Sequence, residues 1–182
     1  MKQQLRETIT WNCRDARESD ADAIAALHAD SWRRHYRGAY LDSFLDGNVL
    51  DDRITVWRER LAESHSKRIT VVAESAGELV GFGHAVVDDD FHFGTLLDNL
   101  HVEHRHKRLG IGRQLMRAVA QRAIERGSRA LYLWVLEQNT AAQAFYAAQG
   151  GRCVEQCLRG PFPGGGHAWA RRIVWNDASV LM

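Results

Sequence analysis

The run Lys107-Arg108-Leu109-Gly110-Ile111-Gly112 sets cations beside two closely spaced glycines, the residue types that hold a phosphate. Glycine lets a backbone approach phosphate oxygens closely. A helix opening on such a turn offers free amides and the positive end of its dipole. Neighbouring cations add charge-assisted contacts, and Arg105, His106 and Arg113 flank the run on either side. Two common phosphate motifs fail here. A P-loop requires Gly-Lys-Ser/Thr, whereas Gly112 is followed by Arg113-Gln114. A dinucleotide fingerprint requires a third glycine where Leu115 stands, in the first strand–helix unit rather than past mid-chain. A basic loop before an ordinary helix is the plain alternative.

Periodicity supplies the elements that must position this turn. Residues 9–14 read as a strand, and Ser19 or Asp20 caps a helix carrying Ile24, Leu27 and Ser31 at helical spacing. Trp32, Tyr36, Tyr40 and Phe44 then fall four apart, and an acid-led helix covers 51–62. Two β-rich runs, 69–75 and 79–87, flank the hairpin break Ala76-Gly77-Glu78. Asp88-Asp89-Asp90 forms a polar tip before a strand at 95–102. A helix at 110–126 places Ile111, Leu115, Val119 and Ala123 on one face and stops at Gly127. Strand 130–136, helix 140–149 and strands 152–158 and 169–175 complete the chain. With no composition break or repeat, this predicts one domain over 1–182, a mixed α/β sheet with helices on its faces.

Bulk properties narrow the function. A net charge of +1 supplies no general field for nucleic acid or anionic lipid, so neither is an expected partner. Residues 1–7 lack an apolar signal core, and no run approaches a membrane span. Cys13, Cys153 and Cys157 form an odd set without a C-x-x-C pair, which suits reduced thiols and a cytoplasmic protein. His101, His104 and His106 cluster without the regular ligand spacing of a zinc site, so no metal is expected.

Two separated stretches carry a family resemblance. Leu100-x-Val102, then Lys107 to Gly112 and an amphipathic helix, resembles motif A of the GNAT N-acetyltransferases, written Q/R-x-x-G-x-G/A. Lys107 stands in the Q/R position and Arg108 where the family often has a first glycine. Leu133-x-Val135-x-x-x-Asn139-x-x-Ala142-x-x-Phe145-Tyr146-x-x-x-Gly150 is similar to motif B, with Gly151 replacing the usual phenylalanine. The resemblance implies a mostly antiparallel central sheet flanked by helices. It also implies acetyl-CoA as donor, and direct attack on it by a primary amine of a small molecule or peptide. Backbone groups of Leu100, His101 and Val102 would hold the pantetheine arm. Amides from Arg108 through Leu109, Gly110, Ile111 and Gly112 to Arg113, with Lys107 beside them, would hold the pyrophosphate. Asn139 matches a residue touching the arm, and Tyr146 matches the proton donor to the thiolate.

The general base is not given by motif. Leu96 occupies the position where many family members carry glutamate. Asp98 is the nearest carboxylate, on the face of Leu100 and Val102 if the strand keeps period two. His84, His101 and Glu137 are weaker candidates. By family analogy Trp32 and Tyr36 belong to the acceptor cleft, although their spacing equally suits core packing. Arg33, Arg34 and Arg37 would favour an acidic acceptor or simply face water. Gly164-Gly165-Gly166 would be a mobile loop flanking the cleft. A non-catalytic acyl-CoA sensor would keep the glycine turn without the proton donor, and a nucleotide-binding regulator is a second alternative. The final strands offer an edge for a homodimer.

Overall fold

The computed structural model describes residues 10–62 and 66–182. Ile9, and the polar start read at residues 1–7, lie outside the described residues. In chain order the strands are β1 (Asn12–Asp15), β2 (Arg68–Ser75), β3 (Glu78–Asp90), β4 (Gly94–Val102), β5 (Leu131–Leu136), β6 (Arg152–Arg159) and β7 (Ala168–Trp175). They form one sheet in the order β1-β2-β3-β4-β5-β7-β6. Every adjacent pair is antiparallel except β4–β5. The α-helices among the described residues are α1 (Ala21–His35), α2 (Asp42–Asp46), α3 (Val49–Ala62), α4 (Ile111–Glu125) and α5 (Thr140–Ala148). The expected mixed, mostly antiparallel sheet with helices on its faces is the observed fold. No helix among the described residues is long and apolar enough to cross a membrane.

Each face of the sheet buries a helical stripe. On one face α4 sinks Ile111, Leu115, Met116 and Val119 against Leu97, Leu131, Leu133 and Ile173. Burial of such side chains contributes about 1.5–3 kcal/mol each. On the other face Ile24 and Ala25 of α1 and Trp57 of α3 close over Val72 and Phe82. A separate cluster joins Trp32, Tyr40, Leu45 and Val49 to Leu136 of β5 and Ala170 of β7. The Ala76-Gly77 turn has φ of 51° and 82°, two left-handed residues, as a tight hairpin requires.

The structure departs from the sequence reading at one reversal. Asp88–Asp90 belongs to β3, and the chain turns at Phe91–Phe93 instead. The Asp90 carboxylate drives this by accepting the His92 and Phe93 amides at 2.8 and 3.1 Å. The aromatic run after Trp32, which its spacing assigned to no element, divides between two helices. α1 ends at His35, and Arg37 pairs with Asp42 at 2.9 Å and with Asp46 to fasten the separate α2.

Gly151 also has its reason. A Cβ there would lie 2.5 Å from Trp175 Cζ2 and 2.6 Å from Ile173 Cγ2. Trp175 fills the volume that a phenylalanine at this position would need. Gly151→Ala should therefore lose about 1–3 kcal/mol of stability by overpacking, read as a lower urea midpoint. An unchanged midpoint would show that Trp175 yields.

Candidate active site

The parallel pairing of β4 with β5 is brief. It covers Thr95↔Leu131 and Leu96↔Tyr132 and then stops, although both strands continue. The cause lies in β4. Leu97 stands opposite Ala85 and Asn99 opposite His84, so Asp98 is an extra residue without a partner on β3. Such a bulge bends its strand. Beyond it, Leu97–Val102 follows β3 while Leu133–Leu136 follows β7, and a wedge opens between them. The edges facing this wedge carry backbone groups with no strand across from them, suited to an extended polar ligand.

The glycine turn lies at the β4 side of the wedge, beyond Val102. Arg108 and Gly110 both take left-handed backbone, with φ of 66° and 84°. That explains why the motif so often has glycine where Arg108 stands, since a side chain there costs roughly 1–2 kcal/mol. Gly110 caps α4, and a Cβ there would meet nothing within 4 Å. The Gln114 amide is the first to reach back, to the Gly110 carbonyl at 3.2 Å. The amides of Ile111, Gly112 and Arg113 have no helical acceptor and point out of the helix start. A Cβ on Gly112 would sit 3.6 Å from Phe145 and 3.7 Å from Val102, so α4 opens directly beside α5 and β4.

The basic loop is less free than its composition suggests. Arg105 pairs with Glu103 at 2.8 Å and Glu78 at 3.1 Å, and His106 Nδ1 lies 2.7 Å from Glu103. Lys107 Nζ lies 2.8 Å from His35 Nε2 on α1. Arg108 and Arg113 are exposed and have no carboxylate partner among the described residues.

On the other side of the wedge, Asn139 caps α5, its side-chain oxygen accepting the Ala142 amide at 3.2 Å. Its NH2 group remains a donor. Tyr146 is buried by Phe145 and Trp175, with ring centroids at 5.3 and 6.2 Å. Its hydroxyl makes no protein hydrogen bond among the described residues, yet is not among the sealed, unsatisfied atoms, so it opens onto free space. Burial, and then the neighbouring Tyr36, raise its pKa well above the ordinary phenol value. Through neutral pH it is a protonated donor.

The model of the acetyltransferase (GNAT) family matches residues 16–150. The chain belongs to this GNAT family. An uncharacterized N-acetyltransferase of Bacillus subtilis is 28% identical over 138 residues, 74% of this chain and 76% of that protein. A Mycobacterium tuberculosis protein named "probable N-acetyltransferase" is 30% identical over 140 residues, 73% and 75% of the two chains. The crystal structure of the PaiA N-acetyltransferase from Thermoplasma acidophilum, in complex with coenzyme A, has the same fold. Its TM-score is 0.73 at 16% identity, covering 90% of this chain and 98% of that one.

Within this GNAT fold the bulge corrects the placement of Asp98. Leu97, Leu100 and Val102 all face α4, so period two fails between Leu97 and Leu100. Asp98 does not share their face. It turns to α3, where Arg60 Nη1 lies 2.9 Å from its carboxylate and 3.0 Å from the Asn99 oxygen. This brings Asp98 to the side where burial and its charge push Tyr36 up to about 12.

His101 points to the same side. Its Nδ1 lies 2.8 Å from Ser31 Oγ, and its ring lies 4.7 Å from that of His28. Burial lowers it to about 3, with His35 and Lys107 adding to the shift. His84 is bonded to Thr70 at 2.7 Å and packed on Trp57, away from the wedge. Glu137 is engaged by Arg171 at 3.0 Å and Gln156 at 2.9 Å.

Of the two aromatic acceptor candidates, Trp32 is only 5% exposed. The Arg53 guanidinium covers its face at 4.2 Å and Tyr40 meets its edge at 4.7 Å, so it supports the wall from behind. Tyr36 is half-buried and reaches the surface. The three arginines of this region are spent on structure. Arg33 donates to the Leu45 carbonyl, Arg34 pairs with Asp30, and Arg37 holds α2. They no longer argue for an acidic acceptor. The glycines at 164–166 are docked against α2 and the segment before it. A Cβ on Gly164 would collide with Phe44, and one on Gly166 would lie 2.5 Å from the Ala39 carbonyl. Phe162 of this loop stacks on Tyr40 at 4.8 Å.

Proposed function

We propose that this GNAT protein is an acetyl-CoA-dependent N-acetyltransferase, transferring acetyl to a primary amine by direct attack while donor and acceptor are both bound. The observation that carries this is the β4–β5 wedge, with a turn of free amides on one side and the Tyr146 phenol on the other. The residues present suit acetyl-CoA. Backbone groups of Leu100, His101 and Val102 extend the sheet to its pantetheine arm, with the Asn139 amide opposite. The amides from Arg108 to Arg113 hold its pyrophosphate, and the Arg108 and Arg113 side chains add charge. When bound, acetyl-CoA supplies the activated acetyl group.

The remaining chemistry belongs to the chain. Fixing amine and thioester in one wedge supplies up to about 7–11 kcal/mol through proximity. An amide near Val102 stabilises negative charge developing on the acetyl oxygen. Tyr146 gives its proton to the departing sulfur. Asp98 takes a proton from the acceptor's ammonium and frees the neutral amine to attack, with Tyr36 beside it on the acceptor side. The three free thiols suit a cytoplasmic enzyme, and the outer edge of β6 suits a second copy.

Free-thiol release from acetyl-CoA across an amine panel tests this assignment. Wild type should release thiol with at least one amine, and tight acetyl-CoA binding without release from any would mark a non-catalytic sensor. Asp98→Asn should lower the neutral-pH rate about 10–100-fold. The deficit should shrink as pH approaches the amine's own pKa, where less proton transfer is needed. A full rate in Asp98→Asn would place the base elsewhere.

A further inference from the structure

The last turn of α1 is fastened from two sides. Lys107 Nζ lies 2.8 Å from His35 Nε2. Opposite, Gln138 Nε2 donates to the Arg37 carbonyl at 2.9 Å and more weakly to the His35 carbonyl at 3.4 Å. Lys107 lies between the end of β4 and the glycine turn, and Gln138 lies between the end of β5 and Asn139. Residues 35–37 therefore run from the loop after one splayed strand to the loop after the other. They form a strap over the open end of the wedge.

The middle of this strap is Tyr36. Its ring meets Tyr40 at 5.1 Å and Trp32 at 5.7 Å, both already fixed in the core. α1 itself is held by Ile24, Ala25, Ala29 and Trp32 on its buried face. The Lys107 and Gln138 side chains are exposed, so their bonds add little to global stability. Their effect is local, on the backbone that carries Tyr36. An ammonium bonded to His35 is directed toward the end of α1.

We propose that Lys107, His35 and Gln138 are positioning residues of the acceptor side, clipping residues 35–37 across the wedge so that Tyr36 is held where acceptor meets donor. This rests on the acetyl-CoA reading above, and it gives the Lys107 side chain a different task from the phosphate contact its motif position implies. The two pins also link the sites. Both lie beside groups assigned to the cofactor, so donor binding and acceptor geometry share the same loops.

The test uses His35→Leu, Gln138→Leu and His35→Gln, the last retaining an acceptor for Lys107. Hydrogen exchange of amides 33–40 is followed with acetyl-CoA bound, beside acetyl-CoA affinity by calorimetry. Both leucine variants should exchange at least fivefold faster in this segment, with acetyl-CoA Kd within about twofold of wild type. For the amine that wild type acetylates fastest, acceptor KM should rise five- to twentyfold with a smaller change in kcat. His35→Gln should restore both. Unchanged exchange in the strap would overturn the proposal. So would a tenfold weaker acetyl-CoA Kd in His35→Leu with unchanged acceptor KM, which would return Lys107 to the phosphate. Failure of wild type to bind acetyl-CoA would instead defeat the functional assignment, while the exchange of the strap without ligand would still report on the pins.

Discussion

Tyr146→Phe should lower kcat about 10²–10³-fold while leaving acetyl-CoA affinity within about twofold of wild type. The loss corresponds to roughly 3–4 kcal/mol of transition-state stabilisation. The substitution is clean because the ring does the packing and the hydroxyl does not. Phe145 and Trp175 surround the ring, and the hydroxyl has no protein partner among the described residues. Removing it leaves no buried group unpaired, so the melting temperature should hold within about 2 °C. The raised pKa of Tyr146 adds a second expectation. Its proton is present throughout the neutral range, so the ratio of wild-type to variant rates should be flat between pH 7 and 9. Thiol-release kinetics and calorimetry measure both quantities. A variant with full kcat would remove Tyr146 from the chemistry and leave it as a wall of the wedge.

The glycine turn was legible as a helix start because local sequence determines it, whereas the role expected of Tyr146 came from the family resemblance alone. A left-handed helix cap with open space around it calls for Gly110, and the amphipathic helix behind it repeats at its own period. The side chain of Asn139 marks a helix start by the same local logic. Asp98 was misplaced because strand alternation assumes an unbroken ladder, and the bulge is decided by β3, a separate segment. Gly151 looked like a lost family residue until Trp175, 24 positions later, was seen in its space. The strap was invisible for a related reason. Lys107 to His35 and Gln138 to Arg37 join residues 72 and 101 positions apart, and no single-chain pattern encodes such pairings. The basic loop misled in the opposite direction, since Glu78 and Glu103 neutralise part of what composition displayed as free charge.

Stability should fall steeply on mild acidification, with the steep region opening below about pH 6.5. Three histidines are buried as neutral rings. His28 accepts the Trp57 indole N–H at 3.0 Å, and its other nitrogen is sealed without a partner. Burial pushes it well below the ordinary value, with His101 and Arg53 adding to the effect. Burial lowers His84 and His101 each to about 3, assisted by Arg60 and by His35 respectively. The sign follows from proton counting. Below pH 6.5 the unfolded chain binds protons at these rings and the folded chain does not. Stability is therefore full above pH 6.5 and declines as pH falls toward 3, by about 1.4 kcal/mol per pH unit for each ring. At pH 5 His84 and His101 together remove about 4 kcal/mol, a large share of an ordinary domain's stability, and His28 acts in the same direction. Urea midpoints at pH 7, 6 and 5 should show this, and His84→Gln should reduce the drop by about 2 kcal/mol at pH 5. A slope below one proton would mean that these rings take up protons while folded. The consequence reaches the enzyme assay. His28 and His101 pack against Phe82, with His101 on the strand that lines the wedge. Loss of rate below about pH 6 should thus track unfolding, and Asp98→Asn must be compared with wild type above that pH.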